Sequence, residues 1–314
     1  MGAECGKFFL VFPNVRYKKY WKYSETCVIL EQHKQKWKPE GLILDRIKRN
    51  ERLAALTRLL TVEPNRIHTL SHFCDMLGAA KSTLSEDIDI LRDVFDAFGL
   101  GKLDTVTGAA GGVRFRPCMQ REAAKAFLEE LCKELQSSNR MLPGGFLYLS
   151  DILSMPDIVR KMGIIIAGEF YDAAPDFVLT METKGIPVAL MTAQSMDVPL
   201  VIARRSSKVY EGSAVNINYV SGSAGHIETM SLSRRAVKEG QKCLIVDDFL
   251  KAGGTAKGMI DLMSEFNVEV VGTAFVMSRT QSQPRLISGE KALLTMDMQG
   301  SDASTLTIKP AEWL

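Results

Sequence analysis

The sequence predicts an α/β domain with a mostly parallel sheet, preceded by a smaller α+β domain. Three observations carry that expectation. Beyond residue 142, strand-like apolar runs alternate with helix-like runs, the order that builds parallel sheets. Between residues 45 and 117, three short helical patterns precede two strand-like stretches joined by glycines. Pro117 and the amphipathic stretch after it divide the two patterns, giving boundaries of 1–44, 45–117 and 118–314. A chain of 314 residues is long enough for two domains that each bury a core.

In the first domain, Arg52 to Leu60 places Leu53, Leu56, Leu59 and Leu60 on one helical face. Thr69 to Leu77 is a second short helix, closed by Gly78, since glycine takes the left-handed cap at little cost. A third runs from Thr83 to about Phe98, with Thr83 and Glu86 at capping-box spacing and Leu84, Ile88, Leu91, Phe95 and Phe98 as its buried stripe. Helices joined by a glycine turn are a helix-turn-helix pattern, although an ordinary three-helix bundle would read the same way. The strand-like Lys102 to Thr107, the flexible Gly108 to Gly112 and the alternating Val113-Arg114-Phe115-Arg116 then form a hairpin, which behind a helix-turn-helix is a wing. The domain is expected to be a winged helix.

Arg121 to Leu135 is a linking helix, and Leu142-Pro143-Gly144-Gly145 a turn. Strands are expected at Phe177–Thr180, Leu200–Ala203, Ala214–Tyr219, Cys243–Val246 and Glu269–Val276, with helices at Asp157–Phe170, Ile186–Met196 and Thr255–Phe266.

Apolar residues make up 46% of the chain and charged residues 24%, and no apolar run approaches a membrane span. The apolar start, Phe8 to Phe12, is too short for a signal peptide. Six scattered cysteines without a C-x-x-C pair argue against disulfides and zinc and fit a reducing cytosol, so a cytoplasmic protein without a membrane partner is expected. His68 and His72 have the spacing to share a metal, but no third ligand lies nearby; a solvated helix face is the better reading and no metal site is expected.

Charge is uneven: residues 1–52 carry 12 Lys and Arg against 6 Asp and Glu, the remainder 27 against 31. The basic end is where a DNA footprint could lie, with a solvated tail as the alternative. Along the third helix Glu86, Asp87, Asp89 and Asp93 would repel phosphates. DNA contacts are therefore expected from its start, Lys81, Ser82, Thr83 and Ser85, with Arg46, Lys48, Arg49 and the wing residues Arg114 and Arg116.

The strongest signal is Leu244-Ile245-Val246-Asp247-Asp248-Phe249-Leu250-Lys251-Ala252-Gly253-Gly254-Thr255. A hydrophobic strand ends in two carboxylates, then a short glycine loop opens a helix. Glycines let backbone approach a ligand, N–H groups at a helix start bind phosphate, and Thr255 adds a hydroxyl donor. Adjacent carboxylates can accept hydrogen bonds from a vicinal diol such as a ribose.

This stretch resembles the phosphoribosyl pyrophosphate (PRPP) motif of the type I phosphoribosyltransferases. The resemblance implies that fold for the second domain, ribose contacts from Asp247 and Asp248, and a 5′-phosphate cradle from Ala252, Gly253, Gly254 and Thr255. Thr180-Met181-Glu182-Thr183-Lys184-Gly185-Ile186-Pro187 looks like the family's pyrophosphate loop, making Thr183, Lys184 and Gly185 diphosphate contacts. Arg204 and Arg205 stand where the family places basic contacts to pyrophosphate, and Tyr219-Val220-Ser221-Gly222-Ser223 resembles its mobile loop, with Tyr219 at the ligand. With the winged helix in front, the chain resembles the purine operon repressors built on a phosphoribosyltransferase fold, from about residue 45 to about residue 290. That implies double-stranded DNA at purine-gene control sites, PRPP as inducer and a second copy of the chain as partners. It implies no catalytic cofactor and admits Mg2+ beside PRPP.

Catalytic relatives usually have a small residue and then Thr or Ser where this chain has Lys251-Ala252. A hydroxyl is lost and a long cation gained, which implies binding without turnover. An active purine phosphoribosyltransferase with an appended regulatory domain is the alternative. Residues 1–43 lie outside the resemblance and mix aromatic with basic residues, as a DNA-contacting arm would. No methionine lies between Met1 and Met76, and the favoured expectation is a true start near Leu44, with 1–43 not native and poorly ordered.

Overall fold

The computed structural model describes residues 47–108, 111–137, 140–142, 146–206, 212–221, 226–280, 285–298 and 306–314. The expectations for residues 1–44, for Arg46, for the tip at Ala109-Ala110, for the turn at Pro143-Gly144-Gly145 and for Gly222-Ser223 lie outside the described residues.

At the N-terminal end, α1 (Arg49–Val62), α2 (Leu70–Leu77) and α3 (Lys81–Phe98) pack through Leu56, Leu60, Phe73, Leu84, Ile88, Leu91 and Phe95. The Thr69 hydroxyl caps α2 by accepting from the His72 N–H, and Gly78, at φ 60°, closes it as expected. α3 starts earlier than the capping-box spacing suggested: Ala80 is its N-cap, so Thr83 and Glu86 lie inside the helix. Phe98, expected in the buried stripe, is 75% exposed, because Gly99 (φ 62°) turns the chain away there.

β1 (Lys102–Val106) and β2 (Gly112–Arg116) form the antiparallel wing, with Leu103, Val113 and Phe115 turned into the helical core. The wing is fixed to the entry of α2, since His68 and Val113 exchange backbone hydrogen bonds of 2.9 Å. Gly112 must be a glycine here, because a Cβ would fall 2.1 Å from the His68 carbonyl oxygen. His68 is thus not on a solvated helix face. It precedes α2, is buried, stacks on Phe73 with ring centroids 5.4 Å apart, and has its pKa lowered chiefly by that burial.

Asp87 is a second correction. Expected to repel phosphates from a solvated face, it is fully buried and accepts from Nε of Arg52 at 2.8 Å and Nε of Arg49 at 3.0 Å. Two cations of α1 neutralise it and tie α1 to α3.

The larger part follows as α4 (Arg121–Leu135), a small hairpin of β3 (Met141–Leu142) and β4 (Phe146–Leu147), α5 (Pro156–Phe170), β5 (Phe177–Met181), α6 (Ile186–Met196) and β6 (Leu200–Ala203). Then come β7 (Ala214–Val220), β8 (Ile227–Ser233), β9 (Lys242–Leu250), α7 (Gly254–Glu265), β10 (Glu269–Arg279), β11 (Lys291–Met298) and β12 (Leu306–Pro310). Six strands form one sheet in the order β12-β11-β10-β9-β5-β6, parallel except for β12. β7, expected among the parallel strands, instead makes a separate antiparallel hairpin with β8. With only a loop between them and no crossover, the two strands pair antiparallel.

Leu128, Met162, Ile166 and Val188 of α4, α5 and α6 cover one face of the sheet; Met230, Met259 and Leu262 of β8 and α7 cover the other. Every residue of β5 is buried, which its unbroken apolar run anticipates. β5 stands between β6 and β9, so the chain leaves β5 toward α6 on one face and leaves β9 toward α7 on the other. The two loops part at the carboxyl ends of β5 and β9, the switch point at which open α/β sheets hold ligands. No helix among the described residues is long and apolar enough to cross a membrane.

Candidate functional site

A cleft of about 290 Å3 opens at that switch point. It is lined by Glu182, Thr183 and Lys184 after β5, by Arg205 after β6, and by Asp247 through Thr255, from the last residues of β9 into the start of α7. The loop after β5 sits hard on the carboxylates: a Cβ at Gly185 would fall 2.1 Å from Asp247 Oδ1 and 2.6 Å from Thr180 Oγ1. Only glycine allows this approach. Gly253 (φ 87°) turns the chain into α7, whose first-turn N–H groups have no partner within the helix and carry its positive dipole end. The 285–290 segment braces the loop, Leu286 N–H donating to Ala252 O at 3.1 Å.

Two carboxylates side by side in a buried place resist ionisation. Burial, then the neighbouring Asp248, raises the Asp247 carboxyl well above the usual carboxylate range, and burial raises Asp248, opposed in part by Lys184. Asp247 Oδ1 accepts the Asp248 N–H at 2.9 Å. Lys184, Lys251 and Arg205 place three cations around the pair, together with the α7 dipole. The arrangement suits a molecule that carries a diol between anionic groups.

Nine of the twelve residues read as effector contacts line this cleft: Thr183, Lys184, Arg205, Asp247, Asp248, Ala252, Gly253, Gly254 and Thr255. Gly185 lies behind the carboxylates as the N-cap of α6. Arg204 and Ser231 exchange backbone hydrogen bonds, and the Arg204 side chain lies 3.9 Å from Glu182. Tyr219 is buried against Gly258 of α7 rather than at the cleft wall, and its hydroxyl donates to Glu228 at 2.7 Å. Burial and the Glu228 carboxylate push its pKa up to about 12. Glu228 also accepts from Arg205 at 3.0 Å, and the Tyr219 hydroxyl also hydrogen-bonds with the Thr255 side chain, so Tyr219 stands directly behind two residues of the cleft wall. Sequence reasoning missed Glu182 and Glu228. Glu182 was visible as a carboxylate inside a phosphate-type loop; Glu228 becomes a neighbour only through the hairpin register that pairs it with Tyr219.

On the winged helix, Lys81, Ser82 and Ser85 are exposed at the start of α3, Thr83 is half-buried, and Lys48 is exposed at the N-cap of α1. Arg49 is 53% exposed while holding Asp87. The wing arginines also have partners within the chain. Arg114 and Arg116 both pair with Asp104 on β1, and Arg116 also lies 3.7 Å from Asp172 and over the Tyr171 ring at 5.4 Å. One carboxylate thus offsets part of the charge of two guanidinium groups, and Arg116 faces the larger part of the molecule.

Residues 48–117 match the family described as the N-terminal domain of the bacterial purine repressor, and residues 149–304 match the phosphoribosyl transferase domain family. Over 269 residues the chain is 41% identical to the purine biosynthesis transcriptional repressor PurR of Bacillus subtilis, covering 86% of this chain and 94% of that protein. The chain belongs to the PurR family of purine regulators. The purine biosynthesis transcriptional activator PurR of Lactococcus lactis is 43% identical over 251 residues, 80% of this chain and 93% of that protein. A xanthine phosphoribosyltransferase of Exiguobacterium is 36% identical over 126 residues, 40% of this chain and 65% of that enzyme. The resemblance read from the loop motifs and the predicted pair of folds are thereby borne out, and the PurR-type N-terminal match closes at the wing and Pro117.

Proposed function

We propose that this chain binds the control regions of purine biosynthesis and transport genes as a homodimer, represses them, and is released when PRPP occupies the cleft between β5 and β9. The observation that carries the effector assignment is the convergence, in one cleft, of paired carboxylates, a helix N-terminus and three cations. Asp247 and Asp248 accept hydrogen bonds from the ribose hydroxyls. The N–H groups of Ala252 to Thr255, with the Thr255 hydroxyl, hold the 5′-phosphate. Thr183, Lys184 and Gly185, with Arg204 and Arg205, receive the diphosphate. Oxygen donors of Asp248 and Glu182 on the cleft wall suit Mg2+ travelling with that group.

On DNA, the first turn of α3 contributes Lys81, Ser82, Thr83 and Ser85, with Lys48, Arg49 and Arg46 along the backbone, and a dimer places two such helices on paired half-sites. PRPP lowers operator affinity by favouring an arrangement unable to bind DNA, and DNA must then weaken PRPP by the same factor. The test is calorimetric. PRPP binds the unmodified chain, whereas Asp247→Ala with Asp248→Ala loses PRPP and keeps operator DNA. Normal PRPP binding in that variant would refute the site.

PurR relatives carry both repressor and activator names, so transcript levels in a strain lacking the gene decide the sign: purine transcripts rise for a repressor and fall for an activator. The match to a xanthine phosphoribosyltransferase favours a second reading, turnover of PRPP with a purine base. Lys251-Ala252 speaks against it, because the loop lacks a hydroxyl there and carries a cation. Nucleotide formation from PRPP and xanthine, guanine, hypoxanthine or adenine would establish it.

A further inference from the structure

We propose that α6 is the mechanical link of the switch, and that Tyr171 and Asn65 are the positioning residues through which it sets the winged helix. The inference rests on the effector reading above. α6 starts at Gly185, in the loop assigned to the diphosphate, and Gly185 is packed against the Asp247 carboxylate with no room for even a methyl group. A ligand that draws Asp247 or the Thr183–Gly185 loop toward itself therefore moves the start of this helix. Eleven residues and about 16 Å later α6 ends at Met196. Its last carbonyls lie at the seam with the winged helix: Met196 O accepts from Asn65 Nδ2 at 2.8 Å, and Ser195 O lies 3.1 Å from the hydroxyl of Tyr171, which follows α5 in the same domain. The same hydroxyl lies 3.0 Å from the carbonyl oxygen of Pro117, the residue that follows β2. One phenolic proton is thus shared between the end of α6 and the end of the wing.

The block that carries these groups is stiff. A Cβ at Gly163 of α5 would meet Met191 C and Thr192 N of α6 at 2.7 Å, so the two helix backbones touch, and α5 runs directly into Tyr171. Close-packed elements of this kind do not bend gradually; they shift together between discrete arrangements. The contacts named across the seam, Asn65 to Met196, Tyr171 to Pro117 and Arg116 to Asp172, are polar, as at interfaces across which domains reorient. Asn65 is rigidly part of the wing side, its N–H donating to Phe115 O at 2.6 Å with φ at 62°. Its buried Oδ1 accepts no hydrogen bond from the described residues. Arg116, stacked over Tyr171, adds a cation that moves with the wing.

Two mild substitutions test this. Asn65→Gly tolerates the left-handed backbone, Tyr171→Phe keeps the ring, and each removes a seam hydrogen bond. Operator affinity is measured with and without PRPP for both variants and their combination, and PRPP affinity is measured without DNA. The expected result is unchanged PRPP binding, retained operator binding, and collapse toward one of the PRPP-induced weakening, which in switches of this kind is about 5–150-fold. A combined variant that keeps the full weakening overturns the proposal. If the unmodified chain binds operator equally with and without PRPP, the effector reading has failed, and this inference falls with it. If the combined variant loses operator binding altogether, hydrogen exchange on the unmodified chain decides. PRPP-dependent protection at the amides of Asn65, Asp197 and Val198 supports the link, and unchanged protection there with PRPP bound overturns it.

Discussion

Replacing Asp87 with alanine should unfold the winged helix while leaving the larger domain intact. Asp87 is wholly buried, and Arg52 beside it is only 11% exposed. The substitution strands the Arg52 guanidinium in the core, with Ile47 O at 3.0 Å as its remaining acceptor among the described residues. Breaking a buried pair by removing one partner costs about 3–5 kcal/mol. Arg49, 53% exposed, keeps access to water, so its share is small, on the order of 0.2–1 kcal/mol. A domain the size of residues 48–117 has a total stability of roughly 4–10 kcal/mol, so the loss is comparable to the whole. Calorimetric melting should split into two transitions, the lower belonging to the winged helix. Operator binding should fall with that transition while PRPP binding persists. Replacing Asp87 and Arg52 together with apolar residues should recover much of the loss, because the stranded charge is gone. An Asp87→Ala chain within about 1 kcal/mol of the unmodified one would refute the reasoning.

Further predictions address the cleft and the DNA-facing surface. Burial and Asp248 raise the Asp247 pKa, so the stability conferred by the protonated carboxyl is complete below the unfolded value near pH 4 and is lost as pH rises through the folded value. Asp247→Asn should therefore melt like the unmodified chain at acidic pH but be more stable at neutral pH by about 0.5–2 kcal/mol, while losing PRPP; equal melting at both pH values would contradict this. Glu228 competes with phosphate for the exposed Arg205, so Glu228→Gln should tighten PRPP binding by up to about fivefold in calorimetry, and weaker binding would show that Glu228 serves to hold Arg205 in place. Lys81→Ala should lower the log–log salt slope of operator binding by about one, whereas Arg116→Ala, already committed to Asp104 and Tyr171, should leave it unchanged; a loss of slope in Arg116→Ala would return the wing arginine to the DNA.

What could be read from the sequence was what is local in it. α4 and α6 fall at their expected bounds because a helical stripe and a defined start mark each. The 247–255 loop was legible because ribose, phosphate and cap residues are contiguous along the chain. Asp87 was not, since in sequence it resembles Glu86 and Asp89, and only the packing of α1 over α3 separates a buried carboxylate from solvated ones. The partner of Tyr219 was hidden for the same reason: Glu228 is brought to it by the β7–β8 register, and β8, rich in Ser and Thr, carried no strong strand signal. The wing arginines had the right alternation for one shared face, but the pattern could not show that Asp104, opposite Arg114 in the register, would claim them.

The most direct test of the account is fluorescence anisotropy of a labelled DNA fragment from a purine-gene control region, titrated with the full chain at fixed salt, with and without PRPP. The account predicts specific binding that PRPP weakens severalfold in the unmodified chain and leaves unchanged in Asp247→Ala/Asp248→Ala. Binding that PRPP strengthens or does not alter, or binding no tighter than to unrelated DNA, would contradict it.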